Sequence, residues 1–203
     1  MSSRNMIAVV LDREFKLAQY VQVDGFPDGQ GLACLTFLRN ELDLDRLKTA
    51  LRNSYYATDD QVNGIWQRYG ADSSGLIAPS QAKLLVRDYP QLDADMGAKI
   101  LPFLQNHEDG VMLENSLTFA ADGSNCEWVY LIDLDSMVYE CYQGFNEQPL
   151  CENDRFYFLK DYEEGEYHGA KLVGSFSLNN LPKDDEFMAV FDALLYEDEG
   201  ANE

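Results

Sequence analysis

One stretch of the chain, Lys16-Leu-Ala-Gln-Tyr-Val-Gln-Val-Asp-Gly-Phe-Pro-Asp-Gly-Gln-Gly31, limits the fold more than any other. Its first half alternates as a half-buried strand does. Phe15, Leu17, Gln19, Val21 and Val23 fall on one side, and Lys16, Ala18, Tyr20 and Gln22 on the other. From Asp24 to Gly31 the pattern stops, because Gly25, Gly29, Gly31 and Pro27 suit turns and no regular element. The glycines predict backbone at positive φ, and Pro27 fixes one turn. A helix then opens at Leu32. Strand, forced loop and helix in direct succession crowd polar side chains at a chain reversal, where sites concentrate.

The flanking pattern sets the fold class. Asn5 to Leu11 is apolar on both faces and reads as a central strand, joined to the next by a turn at Asp12-Arg13-Glu14. Helices are predicted over Leu32–Arg39 and Leu44–Asn53, from the N-cap Thr58 to before Gly70, and from Pro79 to Pro90. Leu92 to Leu104 reads as helix with a kink or early end at Pro102. Residues 32–105 are thus mostly helical, an insertion or lobe beside the sheet. Met112–Phe119, Cys126–Leu134, Met137–Tyr142 and Lys171–Phe176 read as strands, the middle two forming a hairpin across Asp135-Ser136. Pro182 starts a last helix with an apolar stripe of Phe187, Val190, Phe191, Leu194 and Leu195, before an acidic tail from Glu197. The expectation is a single α+β domain over residues 1–196. It has an antiparallel sheet of about five strands built from two hairpins, helices between them and a C-terminal helix.

Charge narrows the partners. Fifteen Lys and Arg stand against 36 Asp and Glu, a formal charge of −21. Such a surface repels phosphates, which disfavours nucleic acid and anionic membranes and favours a protein partner with a basic surface. A well-solvated surface without a partner is the plainer reading. No run of about 18 apolar residues is present, so no membrane span is expected. The apolar run ending at Leu11 meets charge too soon for a signal peptide, which points to the cytoplasm.

The loop supplies the first candidate site. The unpaired N–H groups of a helix beginning at Leu32 would face an anion or a partner's carboxylate. Tyr20, Gln22, Asp24, Asp28 and Gln30 would line it, with Arg4 reaching across the hairpin. The competing reading is a structural turn whose aspartates cap backbone groups. The loop lacks the Gly-Lys-Ser or Gly-Lys-Thr of a P-loop. Asp133 and Asp135, two apart on a strand with Glu127 on the same face, have the spacing to hold a divalent metal or act as acid and base. Polar residues edging a hairpin turn are the plainer reading. Asp72 to Ile77 faintly matches a calcium loop, but Gly70 and Gln81 occupy two principal ligand positions. Cys34, Cys126, Cys141 and Cys151 form no Cys-x-x-Cys pair. His107 and His168 stand at no ligand spacing from them. No cofactor and no catalytic set is expected.

Arg4-Asn5, the Lys16–Gly31 stretch, Met96-Gly-Ala-Lys-Ile100, Cys126 to Asp135 and Tyr142-Gln-Gly-Phe-Asn146 together carry a resemblance. The chain resembles a group of small phage and prophage proteins of gut bacteria, whose loop tends to read Gln-Trp-Asp-Gly-Tyr-Pro followed by Gly-Gln-Gly. Val23 and Phe26 stand where the group usually has Trp and Tyr. The resemblance implies an accessory protein that binds and inhibits a host protein, with a CRISPR nuclease or a nucleotide-signalling immune enzyme as examples. The alternative expectation is a protein that sequesters or hydrolyses a nucleotide-like molecule at Asp24–Gly31.

Overall fold

The computed structural model describes residues 3–72, 74–163 and 165–192. In chain order the elements are β1 (Asn5–Leu11), β2 (Glu14–Val21), a π-helical turn at Pro27–Gly31, α1 (Leu32–Asn40), α2 (Leu44–Asn53) and β3 (Tyr55–Tyr56). Then come α3 (Asp59–Arg68), α4 (Pro79–Asp88), α5 (Ile100–Gln105), β4 (Met112–Leu113), β5 (Trp128–Asp133), β6 (Val138–Gln143), β7 (Lys171–Ser177) and α6 (Asp184–Ala189). Short 3₁₀ turns at Pro90–Leu92, Gly97–Lys99, Leu117–Ala121 and Tyr157–Tyr162 fill the connections.

The main sheet has the order β2-β1-β5-β6-β7. Both expected hairpins are present, and β7 adds to the second. The β1–β2 connection is a two-residue turn with Asp12 and Arg13 both at positive φ (55° and 64°). That is the turn whose twist matches paired strands.

The sheet is mixed, and this corrects the antiparallel expectation: β1 pairs with β5 in parallel. The cause lies in the connection. The chain leaves β2 at Val21, which is opposite Asn5, and re-enters the sheet at Trp128, also opposite Asn5. A connection that departs and returns at one end makes β5 antiparallel to β2 and hence parallel to β1. All residues of β1 and β5 are buried, as parallel central strands require.

Each face of the sheet has its own core. On one, Ile7, Val9, Trp128, Tyr130, Ile132 and Tyr139 pack against Cys34, Leu35 and Phe37 of α1, Leu47 and Leu51 of α2, and Leu101 and Leu104 of α5. On the other, Met6, Ala8, Val129, Leu131 and Tyr142 pack on Ala120, Phe156 and Leu159, which come from 3₁₀ turns and loops. Ile65, Leu85 and Leu92 form a third, smaller cluster around α3 and α4.

Three further expectations shift. Only Met112–Leu113 of the Met112–Phe119 strand is extended, and it pairs with Tyr55–Tyr56. The Leu92–Leu104 helix is confined to α5, where Pro102 sits in the first turn and blocks no intrahelical bond. The last helix is a short segment at Asp184–Ala189; Leu194, Leu195 and the tail from Glu197 lie outside the described residues.

The parallel register makes Val9 and Ile132 direct neighbours. Val9→Ala and Ile132→Ala each cost about 2–4 kcal/mol. In urea unfolding the double variant should depart from additivity by about 0.5 kcal/mol or more, whereas additive losses would contradict the register.

Candidate functional site

The Asp24–Gly31 loop is built from backbone contacts. Asp24 adopts φ 59°, and its carbonyl accepts from the Gln30 N–H at 2.9 Å. Gly25 N–H donates to the Ser3 carbonyl at 3.1 Å, and Gly29 N–H to Phe26 at 3.0 Å. Gly25, Gly29 and Gly31 do not take positive φ, which corrects that expectation. Close approach requires them. A Cβ on Gly29 would stand 2.3 Å from the Asp24 carbonyl oxygen, and one on Gly31 would stand 3.0 Å from the Tyr130 ring.

Two buried tyrosines lock the loop to the sheet. Tyr130 Oη donates to the Gly25 carbonyl at 2.7 Å, and Tyr139 Oη to the Gly31 carbonyl at 2.9 Å. Burial pushes both phenols far above their ordinary pKa, so they remain donors. Gln30 turns to the neighbouring segment, where its Oε1 accepts from the Ala98 N–H at 2.8 Å. Gly97, at φ 55°, leaves room for that amide.

The anion site expected at the helix start does not survive this geometry. The π-helical turn precedes α1, and the Leu32 N–H already bonds to the Pro27 and Gly29 carbonyls. Asp24 and Asp28 are exposed on the turn, as is Gln22, whose N–H donates to the Ala94 carbonyl at 2.9 Å. Arg4 sits at the entry to β1; its N–H donates to the Glu127 carboxylate at 3.2 Å and its carbonyl accepts from the Glu127 N–H at 3.0 Å. These residues do not line a common cavity.

Asp133 and Asp135 serve two different turns. Asp135 accepts from the Asp12 and Arg13 N–H groups at 3.0 and 2.7 Å, closing the β1–β2 hairpin. Asp133 accepts from Asp135 N, Ser136 N and Ser136 Oγ, and pairs with Arg155 at 2.9 Å. Arg155 also pairs with Glu140 at 2.8 Å. Glu127 is at the opposite end of β5. No cluster of three or more metal-ligating side chains occurs among the described residues. Burial alone would raise the Asp133 pKa, but the bonds from Ser136, Arg155 and Asp135 outweigh it and lower the value.

Three of the four cysteines are buried, Cys151 is exposed, and both histidines are bonded. Cys34 is buried and its thiol is pushed up to about 12; Cys126 and Cys141 are buried and raised as well. His107 Nδ1 meets the Phe103 carbonyl at 2.7 Å, so it carries the proton. His168 Nδ1 contacts Glu163 at 2.8 Å.

A concavity lies elsewhere, at the outer edge of β2. It is a cleft of about 490 Å³ between β2, the 91–94 segment and the 114–122 segment. Of the sequence-derived candidates, only Tyr20 lines it. Its ring meets Phe119 edge-on, with centroids 4.9 Å apart. Gln19 and Glu114 were not singled out by sequence reasoning. A visible signal existed for Gln19, a lone amide among Leu17, Val21 and Val23 on one strand face. Glu114 gave none, because its segment reads as a strand and folds as an irregular connection. Compared with protein-family models, curated proteins and solved structures, the chain matches none.

Tyr130→Phe removes one buried bond to the loop and should lower stability by about 1–2 kcal/mol in urea unfolding, without a change in secondary structure. For Asp133, a lowered native pKa means stability that is present above the unfolded value and lost as pH falls through the native one. Asp133→Asn should cost about 3 kcal/mol near neutrality. Its stability should also fall less steeply than wild type below about pH 4, a slope read from urea midpoints across pH.

Proposed function

We propose that this chain is a non-catalytic binding protein that captures a basic surface on a partner protein. The observation that carries the reading is the charge of −21, on a fold that already commits several of its cations to internal ion pairs. Arg39 pairs with Asp184, Arg46 with Glu108, Arg52 with Asp12, Arg87 with Asp88, and Arg155 with both Asp133 and Glu140. Carboxylates outnumber cations 36 to 15, and their field would steer a basic partner into contact. The engaged state of the buried thiols and both histidines supports binding over chemistry.

The resemblance to phage and prophage proteins supplies the partner class: a host protein, such as a CRISPR nuclease or a nucleotide-signalling immune enzyme, inhibited by occupation of its basic groove. That groove ordinarily holds phosphates, and a carboxylate-rich surface competes for the same cations.

Affinity capture from a bacterial host, followed by kinetics on the captured partner, tests the reading. The association rate should fall about tenfold or more between about 0.05 M and about 0.5 M salt, with a much smaller change in dissociation. A rate indifferent to salt would leave apolar docking as the mechanism and remove the role assigned to charge.

A further inference from the structure

We infer that the cleft at the β2 edge is a binding site for a guanidinium group. The inference goes beyond the proposed function, because it stands on the cleft's own chemistry and not on net charge.

The backbone comes first. Ser116 N–H donates outward to the Ala18 carbonyl at 2.8 Å, and Gln22 N–H donates outward to Ala94 at 2.9 Å. In an antiparallel strand, alternate residues direct both backbone groups to the same side. Ala18 and Gln22 therefore fix the direction of Tyr20, which lies midway between them. Its N–H and C=O also point away from β1, into the gap between the two covering segments, and neither segment bonds to them. The edge ladder is interrupted at the residue that lines the cleft.

The side chains add acceptors. Gln19 is 8% exposed, and its Nε2 donates to the Asp93 carbonyl at 3.3 Å. That carbonyl can only accept, so the orientation of the amide is fixed. Gln19 Oε1 is left buried without a partner. A buried acceptor without a donor costs about 1–3 kcal/mol. Glu114, exposed at the rim of the cleft, makes no hydrogen bond or ion pair with a described residue. Desolvation by the surrounding protein, and then the charge of Asp59, raises its pKa. Asp93 and Asp122 also line the cleft, although Asp122 is engaged by Asn125.

No Lys, Arg or His among the described residues lines this space. The unmet groups are mostly acceptors, with carboxylates around them and the Tyr20, Phe119 and Tyr162 rings beside them. An anion is repelled there, and a neutral ligand would leave Glu114 uncompensated. A guanidinium is planar, weakly hydrated, rich in donors and able to stack on an aromatic face, and it meets each of these conditions. A second hollow shares Thr118 and Tyr162 with the cleft and is lined by Leu117 and Phe158. It has room for an apolar group attached to the cation.

The test titrates the full chain with three probes: argininamide; citrullinamide, its uncharged ureido counterpart; and a blocked tetrapeptide with Arg beside Phe. Calorimetry measures affinity, and amide chemical shifts of the unmodified protein map the site. The inference expects argininamide or the peptide to bind and to shift Gln19, Tyr20 and Glu114. Citrullinamide should bind at least about tenfold more weakly. Glu114→Gln should weaken binding by a similar factor at an unchanged melting temperature. A peptide bound about tenfold tighter than argininamide would place the cation on a polypeptide. Equal affinities would identify a free small molecule. No binding at millimolar concentration, shifts elsewhere, equal binding of citrullinamide, or an indifferent folded Glu114→Gln would each overturn the inference.

Discussion

The parallel contact between β1 and β5 forces most of what surrounds it. Every residue of both strands is buried, so each face of the sheet must be covered, and the chain covers them by unlike means. Helices α1, α2 and α5 lie on one face; turns and loops between residues 120 and 170 lie on the other. The helices belong to the connection that carries the chain from β2 back to the Asn5 end of the sheet. Their placement and the strand direction are therefore one fact. Only after that connection is in place do the outer strands β2 and β7 become edges, and only an edge strand presents unpaired backbone groups.

The same logic explains the glycine-rich loop. It must leave β2, turn within a few residues and start α1 against the Tyr130 ring. The turn's backbone runs so close to the sheet that side chains at Gly25 and Gly31 would collide with Asn5 and Tyr130. Closeness permits the two tyrosine hydroxyls to satisfy loop carbonyls directly. Buried carbonyls would otherwise lose water without compensation. Asp24 absorbs the positive φ instead, which Asp tolerates better than most residues. The loop is thus an anchoring device. Gln30 under Gly97 extends it by fixing the segment that leads to α5 and to one wall of the β2 cleft.

Much of this was legible from sequence. The burial of β1 on both faces, the Asp12-Arg13 turn, the Thr58 N-cap and the β5–β6 hairpin all follow from local rules that the structure obeys. Strand direction was not legible, since two hairpins have the same pattern whether their inner strands run parallel or opposed. Only the length and ends of the 22–127 connection decide it. The roles of Asp133 and Asp135 were half legible. Their position at a hairpin end was right, but Asp135 closes the other hairpin, more than 100 residues away in sequence. The cleft was hidden for the same reason: Gln19, Asp93 and Glu114 meet only through tertiary structure. Gln19 alone carried a signal, as an amide on an apolar face.

The acidity has a structural source as well as a functional consequence. Many aspartates cap backbone N–H groups in turns and helix starts: Asp43 at Arg46, Asp72 at Ser74 and Leu76, Asp93 at Asp95, Asp122 at Asn125, and Asp154 at Cys151. A loop-rich chain needs such acceptors, and each one adds a negative charge. Capping also fixes the carboxylate in place. A charge already held by backbone bonds loses little freedom when a cation arrives, so its attraction is not spent on ordering a side chain. Glu114 differs from these residues: it caps nothing and makes no ion pair with a described residue. At the β2 edge a glutamate without an ion-pair partner lines the same cleft as a residue whose buried amide oxygen has no donor, so a donor-rich cation arriving there would meet a charge and an acceptor together.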